Sequence, residues 1–225
     1  MQAQKLSESA KENITQQLSY DVLKTLAVYG ANSSGKTNLI NALQAMKYNV
    51  LSSVKLNPQD KLLYEPFLLL KDNIQPTLFE VSFLKGEFCY RYGFSYNRDS
   101  IIEEWLFRKT TRRSNEKVLF IRNDSGIAYD DHIFPEGVGL ETKIVGNRLF
   151  LSLCAQLGGE ISNQVISWFE SDFHVVSGIN NQDYSGFSKL QFHQRNEISR
   201  RALDFFKTLQ LGFNEITTYE EERFT

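Results

Sequence analysis

Residues Gly30-Ala31-Asn32-Ser33-Ser34-Gly35-Lys36-Thr37 carry the spacing Gly, four residues, Gly-Lys, then Ser or Thr. That spacing is the pattern of a phosphate-binding loop. Each residue type brings something an anion needs. Gly30 lets the chain turn where a side chain would obstruct it, and Gly35 lets the backbone come close to a phosphate. The amides of Asn32 to Thr37 form a nest for anionic oxygens. A helix opening near Lys36 adds the positive end of its dipole. Lys36 supplies a mobile cation for β- and γ-phosphates, and the Thr37 hydroxyl is placed to bind Mg²⁺. With Ala31 inside the loop and Asn38 following it, Gly30 to Asn38 form the candidate contact set, Thr37 being the metal ligand.

Such a loop must be carried between a strand and a helix. The apolar run Leu23-Lys24-Thr25-Leu26-Ala27-Val28-Tyr29 predicts a buried strand over Val22–Tyr29. Leu39, Ile40, Leu43 and Met46 recur at helical spacing, predicting a helix from Lys36 to about Val54 that Asn57-Pro58 ends. Residues 1–20 read as an irregular or extended lead-in. Residues 58–77 read as a connector holding Pro58, Pro66, Pro76 and the apolar run Phe67-Leu68-Leu69-Leu70.

The texture then changes to period two. Thr77–Leu84, Phe88–Tyr96, Ile101–Arg108 and Lys117–Arg122 alternate and are rich in aromatic residues. Turns at Lys85-Gly86-Glu87 and Asn97-Arg98-Asp99-Ser100 separate the first three. This predicts a four-stranded antiparallel meander. Residues 123–140 read as a loop. Helices are predicted over Leu149–Leu157, Ile161–Phe169 and Asn196–Leu211, with Gly158-Gly159 between the first two. In the last, Ile198, Ala202, Phe205, Phe206 and Leu209 share one face, and Gly212 marks the stop. The expected fold is α/β: a P-loop NTPase core with an antiparallel β-meander subdomain and a C-terminal helical segment. The expected divisions are a strand-loop-helix unit over 1–57, the β-subdomain over 58–125 and a mostly helical segment over 126–225.

Composition narrows the classes. The chain has 225 residues, 41% hydrophobic and 23% charged, with a net charge of −2 and a pI of about 6.0. A chain of this size buries about 70% of its unfolded surface. The charge balance argues against a broad nucleic-acid surface. Cys89 and Cys154 are the only cysteines; two isolated thiols fit a reducing cytosol rather than a disulfide scaffold. His132, His174 and His193 lack ligand spacing with one another or with cysteine. No apolar stretch reaches membrane-spanning length, and the polar residues 1–20 do not read as a signal peptide.

The run Ala27-Val28-Tyr29-Gly30-Ala31-Asn32-Ser33-Ser34-Gly35-Lys36-Thr37-Asn38-Leu39-Ile40-Asn41-Ala42-Leu43 resembles the opening of the ABC-type ATPase heads shared by RecF, SMC-like and OLD-like proteins. Glu80-Val81-Ser82-Phe83, Tyr90-Arg91-Tyr92-Gly93-Phe94 and Ile102-Glu103-Glu104-Trp105-Leu106 resemble the β-subdomain of a bacterial AAA/ABC-type ATPase family of abortive-infection and other anti-phage systems. The resemblance covers roughly residues 2–125. It implies ATP and Mg²⁺ as ligands and pairing of two ATPase heads around the nucleotide. It also implies nucleic acid or a nuclease or toxin effector as partner, and a cytoplasmic site of action. Such heads carry a Ser-x-Gly signature, a strand ending in Asp-Glu and a switch histidine, and none of these is found. Arg122 and Asn123 interrupt Val118–Ile121 before Asp124. The segment is therefore expected to be the first lobe of a larger head, binding ATP weakly and hydrolysing it negligibly by itself, with no catalytic base of its own.

Other readings carry their own signatures. A GTPase needs Asn-Lys-x-Asp, which is absent; Asp183-Tyr184-Ser185-Gly186 only mimics a switch. A nucleoside or metabolite kinase needs an arginine-rich lid. The basic cluster Arg108, Lys109, Arg112, Arg113 and Lys117 falls in the loop of a predicted hairpin, where it reads as a solvated turn or a nucleic-acid contact. A scaffold with a vestigial loop is countered by the intact Lys36 and Thr37. Gln59 and Gln75 are the candidates for a switch glutamine and read as solvated loop residues.

Overall fold

The computed structural model describes residues 8–66, 75–176, 182–210, 212 and 215–218. The run Phe67-Leu68-Leu69-Leu70 and the acidic stretch Glu220-Glu221-Glu222 lie outside them. The chain divides into two compact units, Met1–Val175 and Val176–Thr225.

In the first unit, a 3-10 turn (Glu8–Asn13) leads into a hairpin of β1 (Ile14–Gln17) and β2 (Tyr20–Leu23). Asn13 closes the hairpin. Its Oδ1 accepts from the Thr25 amide at 2.9 Å, and its Nδ2 donates to the Thr25 carbonyl at 2.7 Å. The predicted strand over Val22–Tyr29 stops there. From Lys24 to Ala31 there is no strand, and Leu26, Val28 and Tyr29 are 51%, 55% and 89% exposed. The reason is that a strand exists only when a neighbour takes its amides and carbonyls. Among the described residues no strand pairs with this run.

α1 (Lys36–Ser52) follows, ending in a 3-10 turn over Ser53–Lys55. Then come β3 (Thr77–Lys85), β4 (Phe88–Tyr96), β5 (Ile101–Lys109), β6 (Lys117–Asn123) and β7 (Gly126–Tyr129). They form one antiparallel sheet in sequential order. The four expected strands are present. β7 is a fifth, in a segment read from sequence as loop. The architecture is mixed α/β with an antiparallel sheet, and among the described residues there is no parallel sheet of the kind a P-loop NTPase core carries. α2 (Phe150–Gln156) and α3 (Glu160–Ser167), extended by a π-helical turn over Trp168–Asp172, complete the unit.

The core lies between one sheet face and these helices. Tyr90, Tyr92, Phe94, Leu106 and Phe120 meet Phe134, Phe150, Phe169, Met46 and Val50, all buried. Two carboxylates fasten the helices from below. Glu104 of β5 is fully buried and accepts from the amides of Phe150 at 2.6 Å and Leu151 at 3.0 Å, and from the Tyr92 hydroxyl at 3.0 Å. Glu136 does the same at α3, accepting from the amides of Ile161 (2.9 Å) and Ser162 (2.7 Å). Both place negative charge where a helix dipole is positive and satisfy amides that have no partner within the helix.

The far end of α1 is bolted to this core. Met46, Asn49 and Val50 are buried. The Ser152 hydroxyl donates to the Val50 carbonyl at 2.7 Å, the Leu149 amide donates to Ser53 Oγ at 3.3 Å, and Arg148 donates to the Leu56 carbonyl at 2.8 Å. The near end, Lys36–Leu39, is exposed.

In the second unit, α4 (Gln182–Gln194) and α5 (Glu197–Thr208) are joined by Arg195 and Asn196. Asn196 Oδ1 caps α5 by accepting from the Ser199 amide at 3.0 Å. α4 is an element sequence patterning does not signal. α5 ends ahead of the expected boundary, where Gln210 (φ +52°) takes a left-handed conformation before Gly212 (φ +82°) does. Its expected apolar face is real but lies open at Ile198 and Phe205.

Candidate functional site

Gly30 to Asn38 form a compact loop that opens directly into α1. Two residues take left-handed backbone: Ser33 (φ +64°) and Gly35 (φ +89°), the residue that precedes the helix. The Ser34 amide donates to the Ala31 carbonyl at 3.3 Å, which closes the turn. A Cβ at Gly30 would lie 2.6 Å from Ser34 Oγ, so a side chain there would force that hydroxyl to turn away.

The helix start has no side-chain cap. The α1 ladder opens with the Leu39 amide donating to the carbonyl of Gly35, the residue before the helix, at 3.2 Å. The residues before it, Asn32 to Asn38, line a cavity of about 280 Å³. An uncapped helix N-terminus beside a nest of amides attracts an anion. Lys36 folds back over this loop. Its Nζ donates to the carbonyls of Gly30 at 2.7 Å and Ala31 at 2.6 Å, with Ser34 Oγ at 3.4 Å. The ammonium is thus held by exposed carbonyls of its own loop, which water can replace when it turns to a ligand. Thr37 also lines the cavity, where its hydroxyl suits a hard cation that accompanies phosphate.

A comparison with known protein families matches residues 26–211 to the family described as "AAA domain, putative AbiEii toxin, Type IV TA system". The chain belongs to this family. No curated protein and no solved structure matches it. Membership makes the chain an AAA/P-loop ATPase-type domain, for which nucleotide binding is the common property.

Other sequence candidates within this AAA domain fall elsewhere. The cluster Arg108 to Lys117 lies at the β5–β6 turn and is largely engaged. Arg108 sits over the Phe88 ring at 4.7 Å, and Lys109 pairs with Glu116 at 3.7 Å. Arg91 pairs with both Glu80 (2.9 Å) and Glu116 (2.8 Å), and its guanidinium holds the Glu116 carboxyl below the usual glutamate value. The Arg112 amide donates to Ser19 Oγ at 2.6 Å, tying this turn to the β1–β2 hairpin. Asp124 sits in the β6–β7 turn of the antiparallel sheet, not at the end of a parallel strand. Asp183–Gly186 lies inside α4, so it forms no switch loop. Among the described residues no group of three His, Cys, Asp or Glu side chains is placed to hold a metal. No described helix is long and apolar enough to cross a membrane.

Sequence reasoning missed Glu104, Glu136 and Asn13, which position elements and do not face the cavity. Glu104 left a signal. It alternates in phase with buried Leu106 and out of phase with exposed Glu103, which marks a carboxylate on the core face of a strand.

Proposed function

We propose that Gly30 to Asn38 bind the triphosphate of ATP, with Thr37 contributing to the site of the accompanying Mg²⁺, in the ATPase head of an anti-phage toxin–antitoxin or abortive-infection system. The observation that carries this reading is the uncapped start of α1 beside a cavity lined by Asn32 to Asn38, Lys36 and Thr37 among them. Phosphate oxygens would accept from the amides and from Lys36 Nζ. Mg²⁺ would offset the charge developing on the transferred phosphoryl group.

Hydrolysis also needs a group that orients the attacking water. Among the described residues no carboxylate lines the cavity. We therefore assign that group to a second polypeptide packed against the cavity. Leu26, Val28, Tyr29 and Leu39 are exposed on the elements that flank the loop, which is where such a surface would gain most from burial. A second ATPase head closing over the nucleotide is the arrangement this reading favours. A nuclease or toxin effector, or nucleic acid, would then respond to the closed pair.

The test is binding of Mg²⁺–ATP by calorimetry to the natural chain and to Lys36→Ala. A charge-assisted hydrogen bond contributes roughly 1.5–3 kcal/mol, so affinity should fall about 10- to 150-fold. Thermal stability should not change, because the contacts of Lys36 are to exposed groups of its own loop. Equal affinity in the two proteins overturns the site. Sustained turnover by the chain alone overturns the outside origin of the water-orienting group.

A further inference from the structure

β3 and β7 are the two edges of the five-stranded sheet, and β7 spans only four residues. β3 runs nine residues, in unbroken register with β4. It contains no proline and no bulge, two of the devices that keep an edge from pairing with another chain. Among the described residues no backbone group occupies the hydrogen-bonding positions on its outer side. Leu78, near its start, is 59% exposed.

The sequence of this edge reads nearly the same in both directions. Leu78-Phe79-Glu80-Val81-Ser82-Phe83-Leu84 is symmetric about Val81 except that Glu80 answers Ser82. An antiparallel pair with its two-fold axis at Val81 sets Val81 against the partner's Val81 and Phe79 against the partner's Phe83. On the other face it sets Leu78 against the partner's Leu84 and Glu80 against the partner's Ser82. Apolar residues meet apolar residues on both faces, and no like charges stand directly opposite.

Neighbouring registers lack this match. A slip of one residue opposes side chains from different faces. A slip of two in one direction puts Glu80 directly against the partner's Glu80. In the other direction it puts Glu80 against the partner's Leu84 and Phe79 against the partner's Lys85.

We propose that β3 is a self-association edge, and that two copies of this chain pair β3 to β3 antiparallel about Val81 into one continuous ten-stranded sheet. The contact is independent of the nucleotide site. Strand pairing of this length makes a small interface, so the dissociation constant is expected in the micromolar range.

Ser82 gives a test with two opposite outcomes, because it is exposed and opposes the partner's Glu80 twice per dimer. Ser82→Glu sets carboxylate against carboxylate, and Ser82→Lys sets ammonium against carboxylate. Cross-strand pairs of this kind contribute roughly 0.2–1 kcal/mol each, so sedimentation velocity should show the dimer weakened about two- to thirty-fold by the first change and tightened by a similar factor by the second. Circular dichroism should be unchanged in both. The dimer should form without nucleotide and survive Lys36→Ala, which separates it from a pairing of ATPase heads. A chain that stays monomeric, or a dimer that both substitutions move in the same direction or not at all, overturns the proposal.

Discussion

Replacing Glu104 tests how the loop-bearing helix is anchored. Its two carboxylate oxygens divide four partners. Oε1 accepts from the Leu151 amide and the Tyr92 hydroxyl, and Oε2 accepts from the Phe150 amide and faces Arg122 Nη1 at 3.8 Å. Burial pushes the Glu104 carboxyl above its ordinary value, against the pull of Arg122 and the two helix amides. Glu104→Gln keeps the shape but exchanges one oxygen for an NH₂ group. Whichever way the amide turns, that group faces a helix N–H, leaving at least one buried donor unsatisfied. The cost is about 1–3 kcal/mol. Glu104→Ala removes every acceptor and leaves Arg122 with the Arg148 and Gly146 carbonyls alone, at a cost of about 3–5 kcal/mol. Set against a typical total of about 5–15 kcal/mol, the alanine variant should be marginally folded. Urea unfolding followed by circular dichroism reads both values at constant slope. If glutamine stays within about 0.5 kcal/mol of the natural chain while alanine costs under about 1 kcal/mol, the carboxylate does not hold α2 and the reasoning fails.

Two further outcomes follow from the sheet. Gly93→Ala would set a Cβ 2.5 Å from the Trp105 ring and 2.8 Å from the Phe79 carbonyl; since a backbone atom cannot swing aside, a loss of about 1–3 kcal/mol is expected, read by denaturation with a shift in tryptophan emission. Glu116 is held below the usual glutamate value chiefly by its hydrogen bond from Arg91, so its contribution is present above the unfolded pKa and is lost as pH falls through the lower folded one. Between pH 5 and pH 3, Glu116→Gln should therefore lose less stability than the natural chain; equal slopes would show that the Arg91 pair carries no pH dependence.

Much of this arrangement was legible in the sequence, and the exceptions share a cause. The loop could be read because its geometry is local: left-handed Ser33 and Gly35, and a lysine bonded to carbonyls five and six residues back. The meander could be read because alternation reports one buried face. β7 escaped because Gly126-Ile127-Ala128-Tyr129 offers too few residues to alternate. α4 escaped because its apolar residues, Tyr184, Phe187, Leu190 and Phe192, do not gather on one helical face, and α5 was anticipated from an apolar face that its own unit leaves open at Phe205. The strand expected over Val22–Tyr29 was the largest error. Apolar content can propose a strand, but only a neighbouring strand completes one.

That error bears on how the site works. The cradle forms although the run before it is irregular, so its shape comes from its own bonds and from α1. α1 is about 25 Å long at the usual helical rise. It is fixed at Val50 and Ser53 to the helix that Glu104 caps, while its other end carries the exposed amides. A phosphate held at the near end and a surface packed over Leu26 and Val28 would therefore act on the same short lead-in, closed on its other side by Asn13 at Thr25. If that lead-in gains a strand partner only when the flanking surface is covered, nucleotide affinity and covering are linked, because each favours the same ordered backbone. Hydrogen exchange at the amides of Leu26 to Tyr29 reads this directly. Slower exchange when the loop binds nucleotide supports the link, and identical exchange in both states removes it.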